Sequence, residues 1–523
     1  MQRTQVLIVG AGPTGLSMAA ELERHGVKCR IIDEQIKPVT TSNALAVQTR
    51  SLEMWDDMRL LSSALSRGFT VRAANFRFGS HIARVEFTIL DSLYPYVLGL
   101  SQQQTETMLQ EYLKQKNIPI EMPVELVELY EQSDGIVASL KSKNGTIEKV
   151  QADWLIACDG GHSFVRSKLN LPFPGKELEE HFVLADIKME SELSHHELNA
   201  FLADIGPLLF IPYSKEYTRV IAEVSRDPEL QAAKSLTLEQ IKQLIAKRCS
   251  IPVSIVGEPI WTSGFWIHER IINKYRHNRI FFAGDAAHIH SPAGGQGMNT
   301  GMQDAYNLVW KLALHINKKV SPDILVTYQV ERYGVAKDVL RNSTFLTRMV
   351  AIKNPILLGL RNLIVPMIFK ITNIRKKLAM KLTQLSIQYP ESMLVQDCMK
   401  HQSGPKSGMR MLDVKLSETE RLLSVVRGTQ FCLLIFSGTK PLANENDLNQ
   451  LKDKINKLYP DLVKVVLVST TSLDKAMAIH TSYQVTDPSL YLIRPDKYIG
   501  FRGKLTDVEK LMAYLGNIFV PQK

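Results

Sequence analysis

The feature that most limits the folds open to this chain lies within its first 33 residues. Gln5-Val-Leu-Ile-Val9 is a short, β-branched apolar run of the kind that forms a strand buried on both faces. It passes straight into Gly10-Ala-Gly12-Pro13-Thr14-Gly15. A helical pattern follows, with Leu16, Ala19, Ala20 and Leu22 on its inner face, and then a second strand, Lys28 to Ile32, ending at Asp33. Gly10 permits a tight turn, Gly12 lets a pyrophosphate approach the backbone, and Gly15 lets the helix pack closely on the strand. The free N–H groups and positive dipole end of that helix suit phosphate. Asp33 stands where a carboxylate can accept hydrogen bonds from a ribose diol. The glycines alone are weak evidence; strand, turn, helix, second strand and terminal acid in order make a dinucleotide-binding unit. The unit does not separate FAD from NAD, although Asp33 disfavours a 2′-phosphate.

Two later segments repeat the theme of an apolar strand ending in an acid beside glycine. Trp154-Leu-Ile-Ala-Cys158 leads into Asp159-Gly160-Gly161-His162-Ser163 and then Val165-Arg166. Arg279-Ile-Phe-Phe-Ala283 leads into Gly284-Asp285-Ala-Ala-His288, then Ser291-Pro292-Ala-Gly294-Gly295-Gln-Gly297-Met298-Asn299, with a helix expected from about Thr300 to Ile316. Taken singly, Asp159 reads as a turn residue and Asp285 as a helix cap. Both following strand ends, they point to one ligand gathered by three strands.

In this order the three motifs resemble the group A flavoprotein monooxygenases, the para-hydroxybenzoate hydroxylase family, and within it the phenol hydroxylase and polyketide or rifampicin hydroxylase branch. The resemblance covers nearly the whole chain and is densest at 4–55, 95–113, 154–169 and 265–333. It implies an α/β fold: a Rossmann-like FAD-binding domain over 1–174 and 273–340, an inserted β-rich substrate-binding domain over 175–272, a helical segment over 341–400, and a thioredoxin-like C-terminal domain over 401–523. It assigns Gly10, Gly12, Pro13, Thr14, Gly15, Asp33 and Glu34 to the ADP half of FAD, and Gln102 to the flavin side. Asp159, Gly160 and Arg166 match a motif linked to both FAD and the nicotinamide coenzyme, and Gly284 with Asp285 match the ribityl contact. Pro292, Gly294, Gly295, Gly297, Met298 and Asn299 match the loop beside the isoalloxazine. Such a loop of small residues opening a helix offers N–H donors to negative charge on a reduced ring. There is one departure. Many relatives have Ser-Arg-Ala where this chain has Ser42-Asn43-Ala44, and Arg50 is the candidate for part of the missing arginine's cofactor contact.

The resemblance implies an FAD-dependent monooxygenase. NADPH or NADH reduces the flavin, oxygen adds to give a C4a-hydroperoxide, and one oxygen atom passes to an aromatic, phenolic or polyketide-like small molecule. The cofactor carries the hard chemistry, while the protein positions the reactants and excludes water. Consistently, the chain has no GxSxG, HExxH or P-loop pattern and no second complete GxGxxG. The substrate is expected between the flavin and the β-rich region, where Leu208–Tyr213, Thr218–Glu223 and Gly264–His268 read as strands. Phe210, Tyr213, Arg219, Glu223, Trp266 and His268 are pocket candidates, though each alone reads more simply as sheet packing or a solvent-facing position. His268 is the one candidate base, since imidazole titrates near neutrality; His288 and His290 read as structural. Two rival readings share the fold signals: an FAD-dependent reductase or dehydrogenase without oxygen insertion, and a non-catalytic flavin- or partner-binding protein.

The five cysteines are scattered, with no CxxC and no metal-ligand spacing, so the expectation is no metal, a reducing compartment and a cytoplasmic location. The first apolar run is too short for a signal peptide, and the run from Ile356 to Ile371 is interrupted by Arg361, Pro366 and Lys370, so no stable membrane insertion is expected. Residues 341–390 hold nine Lys or Arg and no Asp or Glu, much of the net charge of +10. They read as basic helices with solvated faces or an acidic partner surface; contact with anionic lipid or nucleic acid is the sharper alternative, and no helix-turn-helix, zinc-finger or RNA-binding signature accompanies the charge. From Gly404 a strand (431–436), a helix (444–458), a strand (462–468) and a hairpin ending at Arg502 resemble a thioredoxin-like domain. Without CxxC its expected role is packing or an oligomer contact, with a homodimer the assembly to be tested.

Overall fold

A computed structural model describes the chain apart from residues 37–43, 293, 351, 353, 419, 441, 470–472 and 521–523. Ser42 and Asn43 therefore lie outside the described residues. The nucleotide-binding unit centres on a sheet whose path runs Arg276–His277, Ile280–Phe282, Ile147–Ala157, Gln2–Val9, Cys29–Ile32, Ile120–Glu121. The four strands Ile280–Phe282, Ile147–Ala157, Gln2–Val9 and Cys29–Ile32 run parallel, and their registers are level: Val9 pairs with both Ile32 and Ala157, and Ala157 with Phe282. The turns at Gly10, Cys158, Ala283 and Asp33 thus open on one edge, the edge at which parallel α/β sheets bind ligands.

Two helices pack beneath that edge. Pro13–Arg24 begins with proline, whose missing N–H costs nothing in a first turn. Gly297–Ile316 is buried along most of its length and crosses the first helix where Gly301 meets Thr14. A Cβ on Gly301 would stand 2.3 Å from Thr14 Oγ1, so the small residue sets the helix spacing.

The second sheet, eight strands, runs His288–Ile289, Val253–Ile271, Gly175–Ser191, Tyr217–Glu223, Gly206–Pro212, Glu197–Ala203, Ala73–Phe78, His81–Glu86. The sheet is therefore larger than the span 175–272 expected for the β-rich domain: the hairpin 73–86 joins it through a parallel pairing with Glu197–Ala203. Sequence-local patterning could not place that hairpin, because its partner lies more than 100 residues away.

Strands Phe431–Phe436, Val463–Val468, Ser489–Ile493 and Ile499–Lys504, extended by Gln396–Asp397, form the C-terminal five-stranded sheet, with helices Glu445–Leu458, Leu473–Tyr483 and Val508–Ile518. The order matches the expected thioredoxin-like pattern. Its hairpin tip, however, is not solvated. Arg494, Asp496 and Lys497 are buried against the nucleotide-binding unit. Arg494 forms a two-pronged ion pair with Glu331 at 2.7 and 2.8 Å, and Lys497 pairs with Asp57 at 3.1 Å.

Three helices, Val326–Val350, Pro355–Ile368 and Thr372–Leu382, fill the segment read as helical only as far as residue 382; 383–400 form no helix, and Gln396–Asp397 pair with Ile499–Lys504 in the C-terminal sheet instead. The three helices are not simply a solvated basic surface, because the middle helix turns apolar side chains outward as well as inward.

Candidate cofactor and substrate site

At the first strand end Gly10 has φ +102, and a Cβ there would lie 2.2 Å from the Cys158 carbonyl oxygen. A Cβ on Gly15 would lie 1.9 Å from the Gly10 carbonyl oxygen, so helix and turn touch backbone to backbone. Gly12 differs: a Cβ there would meet nothing within 4 Å. Gly12 caps the helix without any side-chain hydrogen bond, leaving first-turn N–H groups free for an anion. Asp33 accepts from Ala11 N at 2.6 Å and from Gln35 N at 2.8 Å, which fixes the carboxylate beside that turn. Glu34 next to it is exposed.

At the second strand end Gly160 has φ +76 and open space where a Cβ would be. Asp159 Oδ2 accepts from Val165 N, while Asp159 Oδ1 is buried without a hydrogen-bond partner among the described residues. Burial pushes this carboxyl above its ordinary range, against the pull of its hydrogen bonds. Arg166 is held inward, donating to the carbonyls of Gly161 (2.6 Å) and Ala286 (3.1 Å) and stacking over Phe173. It ties the second strand end to the third.

At the third strand end Gly284 has φ +58 and lies against Thr14. Asp285 is open to solvent, yet protein crowds its carboxyl closely enough to raise its pKa by desolvation. That combination describes the floor of a recess. Sequence reasoning missed what holds this turn. Asp304, fully buried in the following helix, accepts from Gly284 N (3.0 Å), His288 Nε2 (2.8 Å) and Arg332 Nε (2.7 Å). The only signal in the sequence was an acid at an otherwise buried helical position, which a single chain does not separate from a solvated one.

The loop expected beside the isoalloxazine is pinned from behind. Asn299 accepts from Gln48 N (2.8 Å) and donates to the carbonyls of Ala46 (2.7 Å) and Gly295 (2.9 Å). Gln48 Nε2 donates to the Gly294 carbonyl at 2.9 Å. Gly294 and Gly295 have φ +87 and +61, and Gly295 leaves no room for a side chain beside Ala46. Pro292 and Gly294 are exposed, Gly297 and Met298 half-buried, and the helix beginning at Gly297 has no side-chain cap. Gln102 begins the helix Gln102–Gln115 and donates to Glu106 at 2.9 Å.

Arg50 does not take the place proposed for it. Its guanidinium is buried, 3.0 Å from Glu53 and 2.7 Å from the Asp496 carbonyl oxygen, and lies over the Tyr498 ring. A residue at a helix start can face either side, and this one faces the C-terminal domain.

The substrate candidates divide between the two faces of the second sheet, because neighbouring residues in a strand point oppositely. Phe210 lies in the core beneath helix Leu238–Arg248 with Val183, Leu208 and Val220. Trp266 pairs across the strands with His181 on that same side, 4.5 Å between ring centres, and His268, two residues on, follows it there, 3.9 Å from Glu177. Phe210, Trp266 and His268 therefore do not join Arg219. Glu223 is buried, beside Gly206 and Arg248. The other face carries Arg219, which grips Asp186 through two 2.8 Å hydrogen bonds and lies over Trp261. Tyr213 stands beside them, its phenol pushed well up by burial and the Asp186 carboxylate. Phe182, Ile211, Ile221, Trp261 and Phe265 on this face remain half-buried. The Tyr213 backbone abuts Gly99, which pairs with Ala46 beside Gly295, so this face adjoins the flavin-loop region. Glu269 on the same face hydrogen-bonds Thr344, and Thr347 one turn later hydrogen-bonds Ser291, so helix Val326–Val350 spans from sheet to loop.

His290 belongs to this loop. Its Nε2 is buried without a partner among the described residues, and burial pushes the ring down to about 4. The folded state therefore keeps it neutral while the unfolded chain takes up a proton below about pH 6.5. Stability should fall as pH drops from about 6.5 towards 4. Thermal unfolding of the wild type and of His290→Gln across that range should show a shallower decline in the variant; equal slopes would refute the assignment.

These residues fit a flavin adenine dinucleotide: uncapped helix starts, open space at Gly12 and Gly160, an unpaired Asp159 oxygen, and Asp285 in a recess. Residues 3–343 match the family described as FAD binding domain. The chain is 30% identical to pentachlorophenol 4-monooxygenase of Sphingobium chlorophenolicum over 98% of this chain and 96% of that protein. It is 37% identical to 6-methylpretetramide 4-monooxygenase of Streptomyces rimosus, over 67% of this chain and 63% of that longer protein. Among solved structures, the OxyS anhydrotetracycline hydroxylase of Streptomyces rimosus superposes with a TM-score of 0.77 at 26% identity, covering all of both chains. With the dinucleotide turn and the Asp159 and Asp285 strand ends on one sheet edge and the pinned glycine loop following the third strand, the chain belongs to the group A flavoprotein monooxygenases.

Proposed function

We propose that this FAD-dependent monooxygenase uses NADH or NADPH and O2 to hydroxylate an aromatic, phenolic or polyketide-like small molecule bound on the Asp186–Arg219 face of the second sheet. The observation that carries the reading is the position of that half-buried aromatic face, one strand pairing away from the glycine loop. The relatives named for pentachlorophenol and anhydrotetracycline support the substrate class. FAD supplies hydride acceptance and oxygen activation when bound. Overall, substrate C–H, O2, NAD(P)H and a proton give C–OH, water and NAD(P)⁺.

The chain's own residues supply the surroundings. Phe182, Trp261 and Phe265 offer flat apolar surface and keep water away from the reacting region. Tyr213, whose hydroxyl donates to the Asp186 carboxylate, remains a neutral phenol at pH 7, and its oxygen can accept from a substrate hydroxyl. Arg219, fixed by Asp186 and Trp261, brings positive charge near a phenolate without needing to reorganise. Asp159, Asp285 and the loop N–H groups bind the cofactor; Arg166 couples two of the strand ends.

The test is a panel of phenols and polycyclic aromatics scored for faster NADH or NADPH oxidation, with product mass measured under ¹⁸O-labelled O2. A product carrying one labelled oxygen supports the proposal. Coenzyme oxidation giving a product without added oxygen would instead establish the reductase reading.

A further inference from the structure

Helix Pro355–Ile368 is apolar on both sides. Inward, Leu358 and Arg361 are buried, and Val365 and Phe369 pack on the cluster of Phe78 and Leu202. Outward, Ile356, Leu357, Leu360, Leu363, Ile364 and Met367 are 81, 52, 50, 65, 40 and 60% exposed. Their spacing puts all six on one stripe of the helix. Single exposed apolar residues are ordinary, but a continuous stripe marks a surface that something covers.

The charge of the segments that flank it in the chain says what. Arg348, Lys370, Lys376, Lys377 and Lys381 are exposed and form no ion pair among the described residues. Residues 341–390 contain no acid that could neutralise them. A second copy docked on this face would bring the same cations into opposition, which disfavours it. A lipid surface with anionic headgroups accepts both the stripe and the cations. The 14-residue helix is about 21 Å long against the roughly 30 Å of a bilayer core, so it would lie in the interface plane. Among the described residues no single helix is long and apolar enough to cross a membrane.

We propose that this helix, with the exposed cations of the segments flanking it in the chain, seats the protein on an anionic membrane surface. The inference does not depend on which substrate is hydroxylated. Full-length, FAD-loaded protein is floated with vesicles of phosphatidylcholine, with or without phosphatidylglycerol. The expected result is about tenfold more protein on the phosphatidylglycerol vesicles, declining as salt rises. Leu360→Asp with Leu363→Asp, and separately Lys376→Glu with Lys377→Glu, should each abolish the difference while melting temperature and FAD content stay unchanged. Equal recovery on both vesicle types, or none, overturns the proposal. So does a dimer in sedimentation velocity that the leucine variant converts to monomer while wild-type protein ignores vesicles; the stripe would then be a contact between copies.

Discussion

Glu331→Ala is expected to lower stability by about 3–5 kcal/mol and to strip FAD from much of the purified protein. Glu331 is fully buried and accepts from Arg494, Lys311, Asn307 and Ser392. Burial alone would raise its pKa, but Arg494 and Lys311 reverse the sign and hold it far below the usual carboxylate range. Removing the carboxylate leaves two buried cations with one remaining acid nearby, Asp496. Arg494 cannot retreat to water, since it lies against Trp310, Tyr389 and Tyr498. The cost is therefore that of an uncompensated buried charge, well above the ~1 kcal/mol typical of surface pairs. Urea unfolding followed by flavin fluorescence and by far-UV circular dichroism reads both effects. A variant that unfolds at the wild-type midpoint with full FAD would show that the network does not carry the domain contact.

The second large effect separates folding from binding at the dinucleotide turn. Gly15→Ala should yield little folded protein, because its methyl group would stand 1.9 Å from the Gly10 carbonyl oxygen and backbone cannot yield cheaply. Gly12→Ala should fold with an unchanged melting point in the FAD-free state, because nothing lies within 4 Å of the new methyl. It should nevertheless bind FAD at least about tenfold more weakly, a loss of ~1.4 kcal/mol or more, since the open space is where a pyrophosphate would approach. Isothermal titration of the FAD-free variants measures this directly. Wild-type affinity in Gly12→Ala would remove the pyrophosphate from that position.

How much of this was legible beforehand follows from the range of each signal. The dinucleotide turn, the two acid-bearing strand ends and the glycine loop are local patterns, and the structure brings them to one edge in level register. The C-terminal strand order was legible for the same reason. The sides of strands were not. Phe210, Trp266 and His268 were reasonable candidates by composition, but alternation alone does not say which face meets the cofactor. Arg50 shows the same limit for a helix. The Asp304–His288–Arg332 cluster and the buried tip Arg494–Lys497 were invisible because charged residues in a helix or a turn are ordinarily solvated. The charge of the basic segment and the apolar run from Ile356 to Ile371 are both legible in the sequence, but a helix apolar all round does not say which of its sides is left uncovered.

Helix Thr49–Asp57 meets the C-terminal domain through ions rather than oil. Arg50, Glu53, Asp56 and Asp57 face the Asp496 carbonyl, Arg410, Arg427 and Lys497 respectively. Arg50 and Asp496 are 446 positions apart, so during synthesis this helix waits a long time for its cover. A greasy patch left bare for that interval would invite aggregation, whereas charged side chains remain hydrated until their counterparts arrive. The late-arriving domain then clamps the helix that follows Gln48, and through Gln48 the loop at Gly294 and Gly295. A nascent polypeptide can thus remain dispersed while its prosthetic-group cradle is unfinished, and completion of the cradle waits for a domain made more than 400 residues later.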